Sequence, residues 1–354
     1  MNNNRSEPPL HAIVCDPSWS LALGTEAVWR LVRLLVVENF VDEPDEFASI
    51  ELARSIKAMS LLQYIAFSKF FSASPFIKQV VSALHDIDED LILSDVRSLV
   101  VERDSGVGYR SEDAVESLLC LCPRICRLES STTSLHTNIF KGRQSIIEDN
   151  LLPLQEIRLA ALNPLVLSYI SSARATLQFL EVWAHASVRL NNRMVASLAE
   201  ILAQGAGQSL RTLDLFRDEI GLYYSGSDIC WAPVIRVCTR LTRLTVPYPA
   251  DYDGLAAMLQ SLPRSLHVLI LDAWNEDGES DSIDVAYLCL WLSACIPAPI
   301  DVPRLRRLVL VFGLAETSNS NLIRQDNFIQ LESVCRCLRI RFHVHRVAHP
   351  ERIA

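Results

Sequence analysis

Aliphatic residues recur along this chain in one six-residue pattern, LxxLxL, with mostly polar residues at the positions between them. Ten copies begin at Leu31, Leu62, Val96, Ile125, Leu154, Leu177, Leu210, Leu241, Leu266 and Leu305. Successive copies start 31, 34, 29, 29, 23, 33, 31, 25 and 39 residues apart, so the period is about 30 residues. Two weaker copies begin at Leu10 and Cys335. Recurrence at this period over nearly the whole chain predicts a repeat protein.

Segments with helical periodicity lie between the copies of this pattern. In MVASLAEILAQ the apolar residues Met194, Leu198 and Leu202 recur at four-residue spacing, and in DGLAAMLQSL residues Leu255 and Leu259 do the same. Each repeat is therefore predicted to contain a helix, a short loop and a strand. Because successive side chains of a strand point to opposite faces, positions 4 and 6 face the core, whereas positions 3, 5 and 7 point out together.

This alternation of helices and strands predicts a parallel sheet. Parallel strands joined by right-handed crossovers stack about 4.8 Å apart, and the helices form the opposite wall. We expect an α/β solenoid shaped as a curved horseshoe, with the parallel strands on its concave face and the helices on its convex face. We predict one solenoid of about 10–12 irregular repeats over residues 10–345, a disordered N-terminal tail over residues 1–9 and a C-terminal tail over residues 346–354.

One stretch resembles a known repeat family. Residues 195–221, VASLAEILAQGAGQSLRTLDLFRDEIG, are similar to a unit of the ribonuclease-inhibitor-like leucine-rich-repeat superfamily, whose pattern LxxLxLxxNxL is matched with Asp218 in the asparagine position. The resemblance implies a leucine-rich-repeat solenoid. Other repeats depart from the pattern at the asparagine position, where they carry His185, Pro249, Trp274 and Gly313.

The style of the repeats also resembles the leucine-rich-repeat halves of fungal F-box proteins, which are substrate receptors of ubiquitin ligases. These halves likewise consist of irregular repeats of about 30 residues. The F-box, a three-helix unit with a motif like LPxE, is not found in this chain. The resemblance implies a protein ligand and a Skp1-type adaptor as partners.

The composition favours a packed aliphatic core. Half of the residues are hydrophobic but only 7% are aromatic, which suits stacked layers of leucine, valine and isoleucine. The net charge is -9 and the arginines are scattered singly along the chain, so we expect no nucleic-acid partner. The sequence shows neither an apolar leader nor an uncharged apolar run of about 18 residues. We therefore expect no membrane partner and a cytoplasmic or nuclear location.

Motifs for catalysis or cofactor binding are not found. The chain lacks the nucleophile elbow GxSxG and the phosphate-binding patterns GxxxxGK and GxGxxG, so we expect neither an enzyme nor a cofactor. Its ten cysteines fall mostly in apolar stretches and are interpreted as reduced, buried thiols. The polar, acidic segment 275–285 does not have the arrangement of a calcium-binding loop and is interpreted as solvated.

The C-terminal run CRCLRIRFHVHRVAH brings metal-ligating residue types close together in sequence. Two cysteines and three histidines, which could chelate zinc if they shared a strand face, are Cys335, Cys337, His343, His345 and His349. Their spacing matches neither a zinc finger nor a zinc ribbon. The cysteines at 120, 122 and 126 are explained by apolar packing. We therefore predict no metal site.

The strand register predicts which side chains share the concave face. Position 3 carries Arg127, Glu156, Phe179, Thr212, Arg243, Val268 and Arg307. Position 5 carries Glu129, Arg158, Glu181, Asp214, Thr245, Ile270 and Val309. Position 7 carries Ser131, Ala160, Trp183, Phe216, Pro247, Asp272 and Val311. Neighbours within each of these rows should be lateral neighbours in space.

Two features of these rows stand out. The charges around residues 127–158 alternate in sign, which favours a role in stabilising the sheet. Large aromatic residues beside charges are typical of protein-binding surfaces, and the predicted partner-binding residues are Phe179, Glu181, Trp183, Asp214, Phe216 and Arg243. The alternative is that segment 217–229 folds over the aromatic residues and buries them.

These observations favour a protein–protein interaction module that binds a protein ligand on its concave face. A substrate receptor of an SCF-type ubiquitin ligase is one such module. Two alternatives stay open. One is an enzyme whose site is assembled from residues far apart in sequence. The other is the repeat-only remnant of an F-box protein.

Overall fold

The computed structural model describes part of the chain. The described residues are 12–15, 29–38, 46–70, 73–89, 91–103, 118–119, 121–130, 153–159, 162, 164–173, 175–184, 192–217, 229–249, 252–272, 285–294, 304–313 and 325–347. By their contacts, residues 1–159 and 160–354 form two compact units. The two predicted tails fall outside the described residues, except that the last strand continues to Val347. A single solenoid over residues 10–345 stays a prediction.

The described residues of the first unit form six strands and two helices. The strands are β1 (Ala12–Cys15), β2 (Leu34–Glu38), β3 (Tyr64–Phe70), β4 (Ser98–Arg103), β5 (Arg127–Ser130) and β6 (Glu156–Leu159). Each strand pairs in parallel with the next one along the chain. Helices α1 (Glu46–Ala58) and α2 (Ala73–Ile87) connect strands β2 to β4 and pack against each other.

In the second unit, the described residues form six strands, six helices and one π-helical turn. The strands are β7 (Phe179–Ala184), β8 (Thr212–Arg217), β9 (Arg243–Pro247), β10 (Val268–Asp272), β11 (Arg307–Gly313) and β12 (Arg341–Val347). The helices are α3 (Pro164–Ser172), α4 (Asn192–Ile201), α5 (Ala232–Val237), α6 (Tyr252–Gln260), α7 (Val285–Ala294) and α8 (Gln325–Cys337). Helix α4 continues through the π-helical turn Leu202–Ala206 into a last helical turn, Gly207–Ser209.

Consecutive strands of this unit also pair in parallel, and a helix follows each of the strands β7 to β11. Parallel pairing in sequence order, with helical crossovers between the strands, defines an α/β solenoid. The predicted fold class is confirmed.

The aliphatic positions of the repeat form the core. In the repeat that begins at Leu210, residues Leu213 and Leu215 are at most 1% exposed, and Leu210 is fully buried. The next repeat buries Leu241, Leu244 and Val246 completely. Burial of an aliphatic side chain contributes about 1.5–3 kcal/mol, so three such positions per repeat supply the main driving force for stacking.

Backbone hydrogen bonds fix the register where each strand begins. The N–H groups of Thr242 and Arg243 both donate to the carbonyl of Arg211, over 2.8 and 3.1 Å. The carbonyl of Thr242 in turn accepts from the N–H group of His267 over 2.8 Å. The same shared acceptor recurs from repeat to repeat, so equivalent positions lie side by side although about 30 residues separate them in sequence.

Two predicted copies of the repeat were placed wrongly. The copy predicted at Leu31 begins at Val32 instead, because Leu31 is 46% exposed while Val32, Leu35 and Val37 are fully buried. The run LVRLLVV offers aliphatic residues in both frames, and pairing of Leu34 with Tyr64 of β3 selects between them.

The copy predicted at Cys335 is not a strand at all, because residues 335–337 are the last turn of α8. The strand that follows begins at Arg341, which pairs with Arg307. Between them, the chain reverses through Arg339, whose φ of 58° is left-handed. The N–H of Ile340 donates to Cys335 O over 2.8 Å and that of Arg339 donates to Arg336 O over 3.1 Å. This is the Schellman arrangement, with arginine where glycine is usual.

Candidate functional site

All six residues predicted to bind a partner lie on three neighbouring strands, β7 to β9. Phe179, Thr212 and Arg243 are consecutive register partners, and so are Glu181, Asp214 and Thr245. In the third row, Trp183 is the register partner of Phe216. The predicted lateral neighbours are thus confirmed on these strands. We call the surface formed by the six predicted residues the β7–β9 face.

The middle row of this face is buried rather than open to water. Glu181, Asp214 and Thr245 are 8%, 4% and 2% exposed. Position 5 points outward, as predicted, but on these three strands its side chains are not open to water. A strand spacing of about 4.8 Å leaves little room for water between neighbouring side chains.

The carboxylate of Asp214 is held in place by two neighbours on β9. The hydroxyl of Thr245 donates to Asp214 Oδ1 over 2.6 Å. The Nε atom of Arg243 lies 3.5 Å from the same oxygen, and about half of the arginine side chain is exposed. A buried carboxylate that accepts a hydrogen bond and faces a guanidinium is compensated for its loss of hydration. The arrangement therefore presents an oriented cation whose counter-ion is fixed beneath it.

The aromatic part of the face is described only in part. Phe179 is half-buried beside Thr212. The backbone places Trp183 and Phe216 side by side, but their side chains lie outside the described residues, and so does segment 218–228. Exposure of this aromatic group stays a prediction.

A second group of charged residues lies on strands β5 and β6 of the first unit, where two arginines form ion pairs with two glutamates. Arg127 Nη2 lies 3.0 Å from Glu129 Oε2, and Arg127 Nε lies 3.6 Å from Glu156 Oε1. Arg158 Nε donates to the same Glu156 oxygen over 2.8 Å. These charges satisfy one another across the sheet, as their alternating signs indicated, and each such pair contributes only about 0–1 kcal/mol.

The candidate zinc ligands are not brought together. His343 and His345 lie on β12 with ring centroids 6.4 Å apart, whereas Cys335 is buried in α8 and Cys337 ends that helix. His349 lies outside the described residues. Within the part of the chain that the structure describes, no group of three or more His, Cys, Asp or Glu side chains could hold a metal ion.

Burial makes two cysteine thiols, those of Cys238 and Cys335, poorly reactive. Loss of hydration raises the pKa of Cys238 to about 12. Burial does the same for Cys335, whose pKa rises to about 12 with smaller contributions from Cys289 and Glu332. Because the thiolate is the reactive form, these two thiols pack as apolar groups at neutral pH.

Among the described helices, none has both the length and the apolar character that crossing a membrane requires.

Sequence reasoning missed a row of exposed arginines where strands β9 to β12 begin. They belong to four short segments, TRLTR, PRSL, PRLRR and LRIR, which begin at residues 239, 263, 303 and 338. The expectation of singly scattered arginines is wrong at residues 304–307, where three arginines fall within four positions, and it is wrong in space because the repeat brings equivalent positions side by side. Arginine at or just before position 3 in successive repeats was the signal.

Comparisons with known proteins identify no family for this chain. No protein-family model matches it. No curated protein matches it either. Among solved structures, a complex of TLR13 with ssRNA13 is 13% identical with a TM-score of 0.45, and the match covers 89% of this chain but only 38% of that one. The leucine-rich repeat-containing protein LegL7 from Legionella pneumophila is 16% identical with a TM-score of 0.44, covering 92% of this chain and 98% of that one.

At these TM-scores neither neighbour decides the fold or the function. The strand register and the burial pattern of the chain itself establish the α/β solenoid. The resemblance to fungal F-box proteins gains no support from the comparisons.

Proposed function

We propose that this protein is a protein-binding module and that the β7–β9 face contacts its protein ligand. The observation that carries the proposal is the fixed pair of Asp214 and Arg243 on a parallel sheet whose strand β7 also carries the half-buried ring of Phe179. Binding energy in protein interfaces concentrates in aromatic residues and arginines that are held rigidly. A β-sheet holds them with little loss of side-chain freedom on binding.

The chemistry of the face defines what the ligand must offer. Arg243 can donate to a carboxylate or a backbone carbonyl of the ligand while Asp214 keeps the guanidinium oriented. An apolar side chain of the ligand would cover Phe179 and the neighbouring aromatic positions 183 and 216. Excluding water from this pair would strengthen its electrostatic interaction with the ligand.

The first test is affinity capture from native lysate, followed by mass spectrometry. The bait is compared with a double variant, Trp183→Ala with Phe216→Ala. A matched control removes two exposed rings from helices, Phe47→Ala with Tyr252→Ala. We expect a partner that the wild type and the control retain and the double variant loses, with circular dichroism showing that all three baits are folded.

The captured partner is then purified and its affinity measured by titration calorimetry. Arg243→Gln should weaken binding at least tenfold, which is about 1.4 kcal/mol. Equal binding by the wild type and the Trp183/Phe216 variant would refute the assignment of this face, and the binding site would have to be sought elsewhere on the chain.

A finer form of the proposal is that the module is a substrate receptor of an SCF-type ubiquitin ligase. Its support is the irregular repeat style of about 30 residues. The test is direct mixing of the purified chain with a Skp1-type adaptor on a size-exclusion column. Co-elution supports the receptor role, and separate elution at concentrations of about 10 µM, above the Kd of stable complexes, argues against it.

A further inference from the structure

Seven exposed arginines from four consecutive repeats lie where strands β9 to β12 begin. We call this group the arginine edge; its members are Arg240, Arg264, Arg304, Arg306, Arg307, Arg339 and Arg341. All of them belong to the second unit, which contains no lysine, so every permanent side-chain cation of that unit is a guanidinium. The whole chain, by contrast, carries a net charge of -9. The edge is thus a local concentration of positive charge on an acidic protein.

Hydrogen bonds join the segments that carry these arginines. Ser265 Oγ donates to the carbonyls of Thr239 and Leu241 over 3.0 and 2.7 Å, which places the turn at 264–265 against the turn that contains Arg240. The N–H of Arg304 donates to Arg264 O over 3.2 Å.

The last two strands of the edge are joined in the same way. The N–H of Arg341 donates to Arg306 O over 2.8 Å, and Arg307 is the register partner of Arg341. The four segments therefore follow one another without interruption, and the guanidinium groups originate from one continuous line of backbone.

Six of the seven arginines of the edge make no ion pair with the carboxylates that the structure describes. Segments 239–243, 264–268, 304–307 and 338–341 contain no aspartate or glutamate. Within the described residues, Arg240, Arg304, Arg306, Arg307, Arg339 and Arg341 make no ion pair. Like charges directly opposite each other on neighbouring strands, such as Arg307 and Arg341, oppose sheet formation. Folding alone gives no reason for this arrangement.

Arg339 adds an independent observation. It occupies the left-handed position at the end of α8, where an arginine is strained and a glycine is not. Strained backbone positions persist where a side chain has a use that offsets the strain. At this position the side chain adds a guanidinium to the edge.

We propose that the arginine edge binds an acidic segment of a partner protein, as a second surface beside the β7–β9 face. Guanidinium groups pair with carboxylates through two parallel hydrogen bonds, which lysine cannot make. Strands β9 to β12 span about 15 Å at a spacing of about 4.8 Å, a distance that an extended peptide of about five residues covers. The four segments contain no Phe, Tyr or Trp, the side chains on which single-stranded nucleic acids stack their bases. This composition favours an acidic peptide over a nucleic acid.

The test is fluorescence anisotropy of a labelled peptide that alternates glutamate and serine over about ten residues, long enough to cover the edge. The glutamine version of the same peptide is the uncharged control. The protein variant carries Arg306→Gln, Arg307→Gln and Arg341→Gln. A charge-matched control variant carries Arg54→Gln, Arg193→Gln and Arg236→Gln, which are exposed on helices. Thermal unfolding by circular dichroism establishes that both variants are folded.

We expect the glutamate peptide to bind with an affinity that falls as salt is raised and that the edge variant weakens at least tenfold. The helix variant should stay within about twofold of the wild type, since screening separates distant charges. Equal binding of the glutamine peptide, equal loss in both variants, or no binding of the glutamate peptide would each overturn the proposal.

A single-stranded oligonucleotide is measured in parallel. Tighter binding of the oligonucleotide than of the peptide, with the same loss in the edge variant, would overturn the assignment to an acidic protein segment and indicate a nucleic-acid ligand. Failure of this proposal leaves the β7–β9 face untouched, because the edge variant retains Arg243, Trp183 and Phe216.

Discussion

The hydroxyl of Thr245 makes a hydrogen bond whose contribution to stability can be measured in isolation. It donates to Asp214 over 2.6 Å between side chains that are 2% and 4% exposed. Thr245→Val keeps the shape of the side chain and removes the donor. The Nε atom of Arg243 stays 3.5 Å from the same carboxylate oxygen. A hydrogen bond to a charged group contributes about 1.5–3 kcal/mol, and a buried acceptor that loses its donor costs about as much. We expect the free energy of unfolding to fall by about 2 kcal/mol.

Urea unfolding followed by circular dichroism measures this loss as a lower midpoint with an unchanged slope. Thr212→Val is the matched control, because Thr212 lies on the neighbouring strand β8 at a half-buried position and its side chain makes no hydrogen bond among the described residues. The control should change stability by less than about 0.5 kcal/mol. Equal midpoints for the two variants would refute the claim that the middle row of the β7–β9 face is a buried polar network.

Three further predictions concern the second unit. Gly207→Ala should lower the free energy of unfolding by about 1–3 kcal/mol, measured by urea unfolding, because the added Cβ would lie 2.6 Å from the carbonyl oxygen of Val237. Arg339→Gly should raise the thermal midpoint, with a gain of about 1 kcal/mol at most, because it relieves a left-handed arginine; an unchanged or lower midpoint would contradict the strain argument. In the native protein at neutral pH, Cys238 and Cys335 should react with a thiol reagent far more slowly than two exposed cysteines, and equal rates would contradict their raised pKa values; the exposed cysteines are Cys230 and Cys337.

The strands of this fold could be predicted because each repeat contains the same local pattern of aliphatic and polar residues. Leu213 and Leu215 alternate with polar residues at the period of a strand, and the apolar residues of α4 recur at the period of a helix. Each signal lies within ten residues, so no long-range information is needed. The register of Phe179, Thr212 and Arg243 followed from aligning the copies.

The errors arose where the local pattern permits two solutions. At Leu31 both frames place aliphatic residues inward, and contact with β3 decides between them. At Cys335 an aliphatic and polar alternation occurs in the last turn of a helix, and a left-handed Arg339 separates that helix from the strand. Sequence patterns show neither contacts with other repeats nor an unusual backbone conformation at a residue other than glycine.

Side-chain surroundings on the outward face were harder still to predict, since they depend on residues one or two repeats away. Asp214 is buried because the register places Thr245 beside it, 31 residues later in the chain. The arginine edge likewise exists only once Arg306 and Arg341 are brought together. In a solenoid these lateral contacts are fixed by the stacking of repeats and not by composition, so the aligned positions of the repeat predict them and residue counts do not.

The two units use the outward face of their strands in different ways. In the first unit, Arg127 and Arg158 are matched to Glu129 and Glu156, so the charges are satisfied within the sheet. In the second unit, one carboxylate, Asp214, lies beside Arg243, while the arginines of strands β11 and β12 have no acidic register partner. Stability alone would favour pairing in both units, because repulsion between like charges lowers the free energy of unfolding. Within the described residues, these unpaired arginines of β11 and β12 are the observation on which the proposed acidic ligand rests, because such a ligand would supply the carboxylates that the register does not.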